Sequence, residues 1–180
     1  MDTVQDRTDL ETMDRNIVKH DHASLRRVCR YFNFENPPAD PMYIAEVMIY
    51  NLIKHRGLGL AAPQIGFPYN VFAVGNPDLP DKVMVFFNST IVHFSENVIL
   101  LDEGCLSFPS LFMKIKRPDS IRMRFTDPDG VKKTEKFDGI LGRVIQHEYD
   151  HINGKLFTSR VNPIEYDRAK RRQKKILRKV

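Results

Sequence analysis

Five consecutive residues near the C-terminus, His147-Glu148-Tyr149-Asp150-His151, constrain this chain more than any other feature. Histidines four apart on an α-helix lie one turn above the other on a single face, so both imidazoles can reach one metal ion. The glutamate between them points to the edge of that face, where it can handle the protons of a metal-bound water. Two histidines do not complete a site, and the rest of it must come from elsewhere in the fold. In the extended zinc-protease pattern the helix ends at a glycine and a third histidine follows three residues later. Here Gly154 is in place, but the third position holds Phe157, which cannot bind metal. Glu165 lies too close behind His151 for a turn and a second packed helix. The missing ligand is therefore sought upstream.

The upstream candidate is Cys105, within Leu101-Asp102-Glu103-Gly104-Cys105-Leu106-Ser107. It follows a strand-like run and a glycine, so a sharp backbone bend can present its thiolate. A thiolate with two imidazoles leaves a fourth position open, the pattern of catalytic rather than structural zinc sites. Taken alone, a single cysteine is more ordinarily a buried free thiol, and Cys29 keeps that reading. A third stretch, Gly57 to Gly66, is dense in small residues. Its closely spaced glycines permit unusual dihedrals and the close approach of another backbone. Gln64 within it carries an amide that can donate to a developing oxyanion. A tight helix-to-strand connection would use the same glycines.

The surroundings read as one α+β domain of 180 residues. Asp40-Pro41 starts a helix, with a capping carboxylate and proline at its first position. Ile44, Met48 and Leu52 then fall at four-residue spacing, and Gly57 is placed to end the helix. Val71–Val74, Val83–Phe87 and Ile91–Phe94 read as strands. Ile121–Phe125 and Val131–Phe137, joined through Asp127-Pro128-Asp129-Gly130, read as a hairpin. The metal-motif helix follows from about Asp138. The expected architecture is antiparallel sheets around a central helix that carries the motif. Residues 1–16 are polar and expected to be loose, 17–162 form the catalytic domain, and 163–180 form a basic C-terminal helix or tail.

Charge is unevenly distributed. The whole chain carries +5, yet Arg168, Lys170, Arg171, Arg172, Lys174, Lys175, Arg178 and Lys179 follow Asp167 with no acid among them, leaving −3 for residues 1–167. Such a run is ordinarily a solvated face, and it also suits an RNA surface. Two cysteines are too few for a disulfide framework and fit a reducing cytosol. The acidic start does not resemble a secretory or transit peptide. No apolar run is long enough to cross a membrane. These features give a cytoplasmic expectation.

Three stretches taken together resemble the peptide deformylase family. Its members carry G-x-G-L-A-A-x-Q, E-G-C-L-S and Q-H-E-x-D-H in that order. This chain reads Gly57-Leu58-Gly59-Leu60-Ala61-Ala62-Pro63-Gln64, Glu103-Gly104-Cys105-Leu106-Ser107 and Gln146-His147-Glu148-Tyr149-Asp150-His151. The resemblance covers roughly residues 18–160 and implies removal of the formyl group from the initiator methionine of nascent polypeptides. It implies Cys105, His147 and His151 as ligands of one divalent ion, Fe²⁺ physiologically, with Zn²⁺, Ni²⁺ or Co²⁺ able to replace it. It makes Glu148 the general base and then acid, with Gln64 and the backbone N–H of Leu106 stabilising the oxyanion. The peptide would lie extended along the backbone of Gly57, Leu58, Gly59 and Gly104. Several bacterial members carry a basic C-terminal helix that docks on the ribosome, a role open to residues 168–180 here.

Helix geometry adds Ile140 and Val144, which share the stripe of His147 and His151 and are expected to line the pocket for the methionine side chain. The chain departs from the common bacterial pattern at Phe112, where many members have arginine. Ser107-Phe108-Pro109, this aromatic and Arg143-Val144-Ile145-Gln146-His147 look more like the organelle-type subclass, and short members also occur in bacteriophages. Glu103 is expected to pair with a base such as Arg117 or Arg143. A zinc endopeptidase and an inert ribosome-binding module are the rival readings.

Overall fold

The computed structural model describes residues 13–179, so most of the segment expected to be loose at 1–16 lies outside the described residues. Helix α1 spans Pro41–Lys54 and starts as its sequence dictates, with the Asp40 carboxylate accepting from the Met42 N–H at 2.9 Å. Its buried face carries Ile44, Val47, Met48 and Leu52, with Asn51 among them. The helix ends differently from the expectation. Arg56, at φ 52°, takes the left-handed conformation assigned to Gly57. Gly57 is needed for space instead, because a Cβ there would lie 2.9 Å from the Leu106 side chain.

Seven strands follow, β1 Gly59–Ala61, β2 Val71–Val74, β3 Met84–Phe94, β4 Val98–Cys105, β5 Phe108–Pro118, β6 Ser120–Thr126 and β7 Lys132–Asp138. Five form an antiparallel sheet in the order β1-β2-β3-β6-β7, and β4 and β5 form a separate two-stranded hairpin. The two strands expected at 83–87 and 91–94 are one strand with an interruption. Asn88 adopts φ 52°, and pairing with β6 shifts register between Phe87 and Thr90. The Asn88 amide is held in place by the backbone of Phe32, accepting from its N–H at 2.7 Å and donating to its carbonyl at 2.8 Å. The turn between β6 and β7 has Gly130 at φ 82°, as a glycine-bearing turn requires. Strand β5 was not anticipated, although Leu111, Met113 and Ile115 are buried and alternate with exposed Phe112, Lys114 and Lys116.

Helix α2, Gly139–Ile152, lies between the two sheets. Ile145 and Ile152 join the core beneath the five-stranded sheet, with Phe72, Phe86, Met123, Phe125 and Phe137. Its polar face, with Arg143, Gln146, His147, Glu148, Asp150 and His151 all buried, turns toward the hairpin. Helix α3, Pro163–Leu177, is capped by the Asn162 side chain, which accepts from the Glu165 N–H. Ala169 is buried in a third core with Leu25, Phe108, Leu111, Met113, Ile115 and Phe157, and Tyr166 packs beside it. The eight bases of α3 and its end remain exposed. This arrangement agrees with the α+β expectation of antiparallel sheets around a motif-bearing helix. Among the described residues no helix is long and apolar enough to cross a membrane.

Candidate metal centre

The hairpin and helix α2 converge on Cys105, His147 and His151, whose potential ligand atoms all lie within 4.8 Å of one another. Cys105 closes β4, where the pairing with β5 shifts register between Glu103 and Cys105, and this bend delivers its sulfur toward the helix. Cys105 Sγ lies 3.3 Å from His151 Nε2. Phe157, the residue standing where the protease pattern needs histidine, packs instead against the His147 ring at 5.5 Å between centroids.

The protonation of His147 follows from its neighbour. Its Nδ1 is 3.1 Å from Glu103 Oε2. Burial raises the Glu103 carboxyl, but hydrogen bonds from His147 and Arg117 outweigh it and hold the group down at about 2. An ionised carboxylate only accepts, so Nδ1 carries the hydrogen and Nε2 is left for the triad. A carboxylate behind a metal-ligating imidazole fixes both its tautomer and its ring orientation. Burial pushes the His147 imidazole down, yet Cys105, Glu103 and Glu148 together raise it to about 10. For His151, burial and the neighbouring positive charges of His147 and Arg117 all act the same way, and the ring is held well below its usual range. A cysteine sulfur and two imidazole nitrogens facing one another form a donor set that a divalent ion satisfies by displacing protons. Buried His151 Nδ1 has no hydrogen-bond partner among the described residues. The residues fit a metal ion of the Cys-His-His type.

Behind the triad lies a buried ionic chain. Arg117, wholly buried, forks onto Glu103 at 2.6 and 2.9 Å and reaches Asp150 Oδ2 at 2.8 Å. Arg143 donates to Glu103 Oε1 at 2.8 Å and to the carbonyls of Ile115 and Ile99. Both bases proposed for Glu103 are therefore engaged at once. Sequence reasoning gave no role to Asp150, the motif residue between Tyr149 and His151, or to Arg160, whose guanidinium forks onto Asp150 at 2.5 and 2.6 Å. Local pattern does not reveal the partner of either, because those partners come from other elements.

A cavity of about 520 Å³ opens in front of the triad, lined among others by Gly57, Leu58, Gly59, Gln64, Gly104, Leu106, Phe112, Ile140, Val144 and Glu148. Glu148 is buried, which pushes its carboxyl up to about 7, and its Oε2 has no partner among the described residues. Its Oε1 lies against the backbone of Gly59, where any Cβ would fall 2.3 Å from it and 2.6 Å from Val144 Cγ1. Gln64 Oε1 accepts from the Ala61 N–H at 2.8 Å, which settles the amide's orientation. Its Nε2 therefore faces Ser107 Oγ at 3.3 Å and Cys105 Sγ at 3.6 Å. Leu106 sits in the turn between β4 and β5. Gly104 is covered by Phe112, whose ring would be 2.6 Å from a Cβ there. Ile140 stands at the rim, 60 % exposed, with Val144 deeper. The fold thus brings together every residue picked out for the site. His20, His22, His55 and His93 are absent from both the triad and this cavity.

The arrangement has known counterparts. The polypeptide deformylase family model matches residues 14–167. A peptide deformylase of Prochlorococcus marinus is 38 % identical over 124 residues, covering 68 % of this chain and 62 % of that protein. The match thus spans less than two thirds of the length of this cyanobacterial relative. A crystal structure of a peptide deformylase from Legionella pneumophila superposes with a TM-score of 0.80 at 28 % identity, covering 91 % of this chain and 95 % of that one. A Met-Ala-Ser-bound class I type b peptide deformylase from Acinetobacter baumannii gives a TM-score of 0.75 at 28 % identity, over 82 % and 98 % of the two chains. With a metal-fitting triad, a buried glutamate at its cavity and a family match over most of its length, this chain belongs to the polypeptide deformylase family.

Proposed function

We propose that this protein hydrolyses the N-formyl group from the initiator methionine of nascent polypeptides, releasing formate and a free amine. The observation that carries the reading is the buried Oε2 of Glu148, without a partner among the described residues, in the wall of a cavity lined also by Gln64, Cys105 and His147, with His151 beside the latter two. Cys105, His147 and His151 would hold a divalent ion, Fe²⁺ by resemblance with Zn²⁺, Ni²⁺ or Co²⁺ as substitutes, which would supply Lewis acidity and activate water at neutral pH. Glu148 takes a proton from the attacking water and returns it to the departing amine nitrogen as the C–N bond breaks. Gln64 Nε2, held by its bond to Ala61, donates to the oxyanion, with the Leu106 N–H beside it. The backbone of Gly57, Leu58, Gly59 and Gly104 receives the extended peptide, and a side chain at Gly59 would displace the base. The bound peptide of the Acinetobacter protein begins with methionine, which suits this reading.

Val144 and Ile140 form the wall for the methionine side chain in this reading. Val144→Phe is expected to raise KM for formyl-Met peptides about tenfold with metal content unchanged. Unaltered kinetics would take Val144 out of the pocket.

The assay for the function is formate release from a short formyl-Met peptide by metal-loaded protein, with metal analysis in parallel. Internal fragments would favour an endopeptidase, and bound metal without turnover an inert module. A second contact is proposed for α3 and its end, whose eight exposed bases suit ribosomal RNA. Deleting the tail would also pull Ala169 from the core, so charge reversal is the cleaner test. Lys174→Glu, Lys175→Glu and Arg178→Glu combined should cut co-sedimentation with ribosomes about tenfold and leave short-peptide turnover unchanged. Equal sedimentation would remove α3 from the contact.

A further inference from the structure

We infer that Arg160 is a positioning residue for the metal centre, acting on His147 through an unbroken chain of charged groups. The inference rests on the metal-binding reading of the triad. The chain runs from the Arg160 fork on Asp150, through Asp150 Oδ2 to Arg117 at 2.8 Å, through the Arg117 fork to Glu103, and from Glu103 Oε2 to His147 Nδ1 at 3.1 Å. Asp150, Arg117 and Glu103 are buried, so each depends on its charged partners along the chain.

Asp150 and Glu103 compete for Arg117. Asp150 Oδ2 accepts from both Arg160 Nε and Arg117 Nη1, while Arg160 Nη2 takes Oδ1. Arg160 thus satisfies most of Asp150 and leaves the fork of Arg117 square on Glu103. Without Arg160, Asp150 draws the Arg117 guanidinium toward itself. Glu103 then loses its two-point support, and the imidazole it orients loses its fixed direction. Arg143 still holds Glu103 Oε1, so the effect is a loosening rather than a collapse. The geometry of a planar fork matters here, and lysine reproduces it only in part.

Arg160 ends the short 3₁₀ turn Phe157–Arg160, just ahead of α3. That turn is anchored by Phe157, which touches the His147 ring, and α3 is anchored by Ala169 and by Gln173 donating to the Pro109 carbonyl at 2.7 Å. The outer end of the chain is therefore placed by the C-terminal packing, and the inner end by the ligand helix. The Arg160 side chain is 38 % exposed, so a small guanidinium from solution can reach the same place.

The test uses the full chain loaded with Co²⁺, comparing wild type, Arg160→Ala, Arg160→Lys and the exposed-helix control Arg168→Ala. Co²⁺ loss to a chelator, the visible spectrum of the loaded protein and the thermal midpoint of the metal-free protein are read for each. Arg160→Ala is expected to release Co²⁺ about tenfold faster with an altered ligand-field spectrum. Arg160→Lys should recover part of the difference, ethylguanidinium should restore Arg160→Ala further, and Arg168→Ala should match wild type. Release and spectrum unchanged in Arg160→Ala overturn the inference. So does a lowered thermal midpoint with wild-type release, which marks a purely structural ion pair. A wild-type protein that takes up no Co²⁺ overturns the metal reading itself, and the inference with it.

Discussion

Replacing Glu148 by glutamine is expected to lower turnover of formyl-Met peptides by roughly 10²–10⁴-fold while the metal content stays that of the wild type. Glutamine keeps the size and shape of the side chain but cannot take a proton from water at neutral pH. The environment makes the substitution informative. Glu148 lies against Gly59 on one side, and its Oε2 has no protein partner to lose. Burial, which lifts its carboxyl to about 7, penalises the charged form, and a neutral amide escapes that penalty. Stability should therefore hold or rise, and the loss should fall on kcat. A variant retaining a tenth or more of wild-type turnover would show that another group moves the proton.

The second large effect concerns stability. Arg117→Met is expected to cost about 3–5 kcal/mol, measured by urea denaturation of the metal-free protein. Methionine fills a similar volume but leaves Glu103 and Asp150 as buried carboxylates short of their shared cation. The same site sets a pH dependence. Glu103 is depressed from its ordinary 4.5 to about 2 in the folded protein. Its contribution is thus fully present above about 4.5 and is lost as the pH falls through that window toward 2. In Arg117→Met this acid-side slope should shrink, because much of what held the carboxyl down is gone. A variant within about 1 kcal/mol of wild type at neutral pH would mean that Arg143 and Arg160 suffice for both carboxylates.

The histidines and glutamate of the candidate site were legible because they sit in a short pattern whose spacing is itself the chemistry. His147 and His151 are one helical turn apart, and their glutamate is fixed between them. The Asp40 cap and the β6–β7 turn were equally local. What escaped was decided at a distance. Asn88 bends β3 because the backbone of Phe32, from another part of the chain, binds both ends of its amide. Arg56 rather than Gly57 takes the left-handed position, while Gly57 lies against Leu106. Asp150 stood in the motif without an assigned role, and its partners Arg117 and Arg160 come from other elements. Strand β5 was passed over although its alternation is regular, since Lys114, Lys116 and Arg117 masked it. Arg117 is wholly buried, against the usual habit of its type, and only the two carboxylates across the fold account for that.

The burial of Arg117 also divides the charges of this protein into two populations. The cations of α3 stand in solvent, where dissolved ions screen them over about 8–10 Å at ordinary ionic strength. The Glu103–Arg117–Asp150 cluster is enclosed, and ions do not enter it. Ionic strength therefore acts as a dial that turns one population down and leaves the other untouched. Whatever the outer helix touches can be let go by salt while the imidazole behind the cavity keeps its orientation. On the proposed reading, attachment through α3 and chemistry at the cavity would answer to different solution conditions.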